Sequence, residues 1–332
     1  MEEGHPCGEN SKKGAKMKKI SRRSFLKKGL AIGAASMCSG GSLSPFSGTA
    51  RGVVHAAKPV DLAIAKGRDY FKSTVKAVDL LGGMRKVVSR GSKVGLLVNS
   101  PFKNYGAYVK PEITLAVVKM CFEAGAKEIW CLKEPSGEYW QRSKLADEYA
   151  EEIKSLKEGW EDTVDYQIPQ AVSLKEATVR KKLLESDLFI NVAITKNHSG
   201  THFSCLLKNM MGSSTFGTNL GIHYGGKKGF SLYPDIPFLS QCIADLNLIR
   251  KPDLCIVDST EFLMTNGPYG PGELMKAQEV LAGTDRVLMD AYCSTLLNLK
   301  PENVLMIQKA AAHNLGSPDL EKANIVKMDT GQ

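Results

Sequence analysis

From about Lys93 onward the chain alternates short, unbroken apolar runs with stretches of helical period. "KVGLLVN" (Lys93–Asn99), "EIWCL" (Glu128–Leu132), "LFINVAI" (Leu188–Ile194) and "LCIVD" (Leu254–Asp258) read as strands. "LFINVAI" lacks the one-in-two polar alternation of a half-exposed sheet, as expected for a strand covered on both faces. "PEITLAVVKMCFEAG" reads as a helix, with Pro111 in its first turn and Gly125 as its stop. A charged helical region is expected around Gln141–Glu158, and "IPFLSQCIADLNLIR" reads as a helix leading into the strand at Leu254. "EVLAG", a helix around Arg286–Leu297, the helix "ENVLMIQKAAAHNLG" and a last strand "ANIVKM" complete the order, with no internal repeat. Strand and helix in alternation predict an α/β fold: a mostly parallel sheet with helices on both faces, built as one body or as two lobes with the site between them.

In such sheets ligands bind beyond the carboxyl ends of the strands, so the residues that follow each strand are the place to search. They are "SPFKNYG" after Asn99, Lys133 and Glu134 after Leu132, "TKNHSGTH" after Ile194, and Asp258 with "STEFLMTNGPYGPG" behind it. The richest is the third. "TKNHSGTHFSCLLKNMMG" reads as a Gly-containing turn and then a short helix, roughly Phe203–Met211, closed by Gly212. His198 and His202 are four apart, the spacing that puts two ligands on one helix face, although Ser199-Gly200-Thr201 between them weakens a regular helix. Their imidazoles are candidate metal ligands or acid–base groups, or else they cap a polar turn. Lys208 sits in the otherwise apolar "CLLKNMMG". It is either a desolvated, nucleophilic amine or a lysine whose stem lies on the core while its head reaches water. His223 follows in "NLGIHYGGKKG", where the amides of Gly225 and Gly226 can cradle an anion, and Lys196 is a further cationic contact. Glu134 and Asp258 are the candidate carboxylates, as base or as partners that orient a histidine.

Charge changes the picture only at the N-terminus. Residues 1–56 carry ten Lys/Arg against three Asp/Glu, leaving 34 against 32 in the rest of a chain whose net charge is +9. A near-neutral body behind a basic leader argues against a phosphate-tracking surface, so no nucleic-acid partner is expected. "SRRSFLKKGLAIGAASMC" resembles the twin-arginine export leader, with Arg22 and Arg23 paired ahead of Phe25, Leu26 and Lys27. The apolar segment from Gly29 to Cys38 is too short for a stable transmembrane span, and small residues allow cleavage after Ala50 or Ala56. The organisation expected is therefore a leader and linker over 1–56 and a single α/β domain over 57–332, with the translocase as partner during export and a periplasmic or other extracytoplasmic destination. Six cysteines follow the leader, none in C-x-x-C or other metal-ligand spacing, so no local iron–sulfur motif is present.

Three blocks, "INVAITKNHSGTHFSCLLKNMMG", "IADLNLIRKPDLCIVDSTEFLMTNGPYGPG" and "VLAGTDRVLMDAY", resemble the successive blocks of the domain-of-unknown-function family 362. The resemblance runs from about Val94 to the C-terminus. Some members carry an added ferredoxin-like cluster module, which this chain lacks. A remoter resemblance is to the nickel-pincer lactate racemases, in which a lysine holds the cofactor covalently and a downstream histidine ligates nickel. His198, Lys208 and His223 stand in the same order and at similar spacing, but Lys133 and Glu134 occupy the region where that family places another catalytic histidine.

The reading that follows is an exported α/β enzyme with a metal or metallo-cofactor at His198, His202, Lys208 and His223, acting on a small anionic molecule by redox chemistry or isomerisation. The alternative is an exported binding protein or cofactor carrier with the same pocket and no turnover. Glu134 or Asp258 within reach of the pocket would favour the enzyme, while both lying far from it would favour binding only. A third possibility is that the histidines only shape a turn.

Overall fold

The computed structural model describes residues 58–135, 138–225 and 234–331. Strand β1 (Leu62–Lys66) is followed by helix α1 (Tyr70–Leu80), whose first turn is capped by the Asp69 carboxylate accepting the Lys72 amide hydrogen. Then come β2 (Lys93–Val98), α2 (Pro111–Ala124) and β3 (Glu128–Cys131). Pro111 stands in the first turn of α2, and Gly125, at a left-handed φ of 102°, ends it. The expected charged helix shrinks to α3 (Ala150–Ser155), followed by the two-residue strand β4 (Lys157–Glu158). Strands β5 (Thr163–Gln167) and β6 (Glu176–Arg180) form a separate hairpin, and α4 (Lys181–Glu185) leads into β7 (Leu188–Ile194).

The site stretch departs from its expected helix. Its first half is a hairpin of β8 (Lys196–His198) and β9 (His202–Ser204), and the helix α5 is confined to Leu206–Asn209, with a 3₁₀ turn over Met210–Ser213. Helices α6 (Phe216–Tyr224) and α7 (Ile236–Leu246) follow, then β10 (Leu254–Ser259), the short pair β11 (Phe262–Leu263) and β12 (Leu274–Met275), and β13 (Glu279–Gly283). Helices α8 (Arg286–Leu296) and α9 (Leu305–Ala312) and strand β14 (Ile325–Asp329) close the chain.

Eight strands form one sheet in the order β14-β1-β13-β10-β7-β2-β3-β4. All neighbours pair in parallel except β13, which runs antiparallel to both β1 and β10. The fold is thus α/β with a mostly parallel sheet, as the alternation of patterns predicts. Strands β7 and β10 at its centre are buried along almost their whole length, which is why they carry unbroken apolar runs. Helices α1 and α2 pack on each other, while α5, α7, α8 and α9 form a second packed group. The described residues belong to one compact unit, so the site lies within it and not between two lobes. Among them no helix is long and apolar enough to cross a membrane. The expected leader, Gly226 and the lysines at 227 and 228 lie outside the described residues.

Candidate functional site

A cavity of about 180 Å³ opens where the parallel strands β2, β3 and β7 end, lined by Asn99, Lys133, Lys196, His198, Lys208 and His223 among others. This is the strand-end position at which α/β sheets bind ligands. One wall is apolar, with Phe102 and Tyr269 meeting edge to face at 5.4 Å between ring centroids.

Lys208 enters from α5, and a helix of four residues is far too short to hold itself together. Three buried side chains fix it. The Asp290 carboxylate accepts the Leu206 and Leu207 amide hydrogens at 2.9 and 3.0 Å, Asn191 donates to the Leu206 carbonyl at 3.1 Å, and Asn247 donates to the Leu207 carbonyl at 2.8 Å. Asn209 reaches back to Asn191 and to the Val192 carbonyl, tying α5 to the centre of β7. Burial pushes Asp290 up to about 7, against the pull of those two amide hydrogens.

With its backbone so fixed, the Lys208 Nζ stands 3.2 Å from the Met211 sulfur and 3.3 Å from His223 Nε2. Among the described residues no carboxylate pairs with it, nor with Lys133 or Lys196. Burial, and secondarily the charge of Lys133, bring Lys208 down to about 7. Lys133 is lowered by burial and then by Arg180. Lys196 is held well below the usual lysine range by burial first, then by Lys208 and Lys133. Its ammonium donates to the Ala107 carbonyl at 2.6 Å and lies 3.8 Å over the Phe102 ring, contacts that soften a buried charge without neutralising it.

The two cavity histidines are neutral and of opposite tautomer. The Asn219 carbonyl, at 2.8 Å from His223 Nδ1, can only accept, so Nδ1 carries the proton and Nε2 presents a lone pair toward Lys208. The Gly200 amide, at 3.0 Å from His198 Nδ1, can only donate, so His198 carries its proton on Nε2. Burial, then Lys208 and His223, bring His198 down to about 2, and burial with Lys208 also lowers His223. Their rings face each other at 6.3 Å. One imidazole is a fixed donor and the other a fixed acceptor.

Of the residues expected from sequence, the structure brings Lys196, His198, Lys208 and His223 to one cavity. His202 stands opposite His198 in the hairpin register, but it has a left-handed φ of 62° and an exposed side chain, away from the cavity lining. The four-residue spacing belongs to a hairpin and not to a helix, which is why it fails to pair the two rings. Glu134 lines a different recess with Pro135, Trp140 and Trp160. Asp258 is fully buried and structural: it accepts the Lys110 backbone amide at 2.9 Å and the Thr260 hydroxyl at 2.6 Å, with the Lys110 ammonium at 3.5 Å. Gly225 ends α6 with its amide on the Gly221 carbonyl and does not line the cavity. Among the described residues no group of three or more His, Cys, Asp or Glu side chains is placed to hold a metal ion. His198 also presents a protonated nitrogen, whereas a metal-bound imidazole normally donates from its other nitrogen. The three-histidine metal centre expected from the spacing is therefore not assembled.

Sequence reasoning named Lys133 only in passing and missed Asn191, Asn247 and Asp290. Asn191 interrupts an otherwise apolar buried strand and Asp290 an apolar helix face, and a polar residue in such a place must have a partner.

The family model described as a domain of unknown function, DUF362, matches residues 93–295, more than half of the chain. This chain belongs to the DUF362 family. The matched stretch carries every residue that lines the cavity, while β1 and β14 complete the DUF362 sheet from outside it. Among solved structures the chain is similar to the lactate racemase apoprotein from Thermoanaerobacterium thermosaccharolyticum, at 11% identity and a TM-score of 0.39. The likeness covers 60% of this chain and 51% of that one, so the chain spans about half the length of that neighbour. No curated protein matches.

Proposed function

We propose that this DUF362 protein binds a small organic anion in the lysine-lined cavity and acts on it by proton transfer through Lys208 and His223. The observation that carries this reading is a set of three lysines facing one cavity, Lys196 and Lys208 buried and Lys133 half-buried, with no carboxylate partner among the described residues. Buried ammonium groups are costly unless paired, and here the missing counter-charge is supplied by the ligand. Proton transfer at a carbon beside a carboxylate, an isomerisation, suits the pair. His223 Nε2 is a base of fixed tautomer beside an amine near neutrality, and His198 Nε2–H is a donor for oxygen that gathers charge. Glu134 and Asp258 lie away from the cavity lining, which by itself would favour binding alone; in this reading His223 and Lys208 take the acid–base role in place of a carboxylate.

The test is calorimetric titration of oxalate into the wild type and Lys133→Met. The expected result is binding to the wild type, weakened tenfold or more in the variant by the loss of a charged contact of roughly 1.5–3 kcal/mol. Equal affinity in the two proteins, or no binding to either, contradicts the reading. A metallo-organic cofactor carried on Lys208 is the second reading, favoured by the same amine lining the cavity. Elemental analysis of anaerobically purified wild type beside His198→Ala and Lys208→Ala separates it: near-stoichiometric metal, lost in a variant, supports the cofactor. Metal absent from all three samples removes it.

The basic leader further suggests that the protein is exported folded. Replacing both Arg22 and Arg23 by lysine should leave the chain in the cytoplasm on cell fractionation. Unchanged export would count against the twin-arginine route.

A further inference from the structure

We infer that Lys208 is a covalent-catalysis residue, its amine condensing with the keto group of a small 2-oxo carboxylate held in the cavity. The inference rests on the anion-binding reading of the same cavity and names its substrate class. A plain anion site needs only cations. This one holds an amine whose polar neighbour is the lone pair of an imidazole in place of an ion-pair partner. That is the setting of a lysine that adds to a carbonyl: desolvated, beside other cationic groups, with a base in hydrogen-bond reach. The backbone that carries the amine is also held in place, because Asp290, Asn191 and Asn247 bind the amides and carbonyls of Leu206 and Leu207.

The other contacts suit a 2-oxo carboxylate. Lys133 has no hydrogen-bond or ion-pair partner among the described residues and lines the same cavity, so its ammonium is open to a carboxylate. A carboxylate directly bonded to the keto carbon keeps the two functions within the span of a cavity of about 180 Å³. Among the described residues His198 Nε2–H has no hydrogen-bond partner either, and it is the donor for the keto oxygen, since its other nitrogen is occupied by the Gly200 amide hydrogen.

The step balances without oxidant or reductant. The Lys208 nitrogen lone pair forms a bond to the keto carbon, and the carbonyl π pair moves onto oxygen, where the His198 hydrogen bond receives it. The nitrogen releases a proton to His223 Nε2. That proton passes to the oxygen to give the neutral carbinolamine. The second nitrogen proton then follows the same route through His223 to the hydroxyl, the carbon–oxygen bond breaks, and one water leaves as the carbon–nitrogen double bond forms. The imine then draws electrons from the neighbouring carbon, which makes it an electron sink for bond breaking there.

Borohydride trapping tests this on the whole protein. Wild type incubated with pyruvate and sodium borohydride should gain one covalent adduct by intact mass, mapped by peptide analysis to Lys208. Oxalate, which has the charge but no keto group, should protect the site and form no adduct. His223→Gln should slow trapping at least tenfold while still binding oxalate, a split that a merely structural histidine would not give. Because the adduct is mapped in the wild type, the result does not depend on whether a Lys208 variant folds. Oxalate binding without a Lys208 adduct, or adducts scattered over surface lysines as in the urea-unfolded chain, would overturn the imine and leave the anion site standing. Failure of both oxalate and pyruvate to bind would overturn the two together.

Discussion

At Lys208 the sign of the electrostatics is set by what is missing. With a carboxylate partner, burial would be offset and the amine would stay charged across the physiological range. Without one, burial and Lys133 bring it to about 7. A bound anion restores the charge, so binding takes up protons. The sign follows from linkage: the complex holds Lys208 protonated to a higher pH than the free protein does. Oxalate affinity should therefore be greatest below about pH 7 and fall as pH rises through that value. Calorimetry in buffers of different ionisation enthalpy reads the proton uptake directly, and an affinity flat from acid to alkaline pH would refute the coupling. At this scale the sequence was informative about residue type and misleading about geometry. His198, His223, Lys196 and Lys208 were legible because polar groups behind an apolar strand are conspicuous. His202 was misread because spacing has no meaning until the backbone is known, and its neighbours chose a hairpin.

At the scale of elements, α5 is made by its surroundings. Its four residues gain little from intrinsic helix stability, and its amides and carbonyls are satisfied by side chains from β7, from Asn247 just after α7, and from α8. Asp290→Ala leaves two buried amide hydrogens without an acceptor and should destabilise the protein by about 2–4 kcal/mol. Asp290→Asn keeps an acceptor oxygen and should cost less. Chemical denaturation of the two variants measures this, and an Asp290→Ala protein as stable as wild type would show that the clamp does not hold the helix. Strand and helix order could be read in advance for the central elements because their periods are long and clean. The length of α5 could not, since its boundaries depend on contacts from residues 191, 247 and 290.

At the scale of the molecule, charge is unevenly spread. Beyond residue 56 the chain is close to neutral, 34 basic against 32 acidic residues, yet three lysines meet in one cavity at the end of the parallel strands. The parallel sheet was legible from the alternation of patterns. The reversal of β13 was not, because an apolar run carries no direction, and β1 escaped notice as a five-residue run of "LAIAK". The folded arrangement, and no single segment, brings Lys133 from the end of β3 to Lys208 behind β7. The measurement that tests this most directly is an NMR pH titration of the Lys208 side chain in protein with isotopically labelled lysine, assigned with Lys208→Arg. The account predicts a midpoint near 7 that moves upward when oxalate saturates the cavity. A midpoint at the ordinary lysine value of about 10.4, unmoved by oxalate, would contradict it.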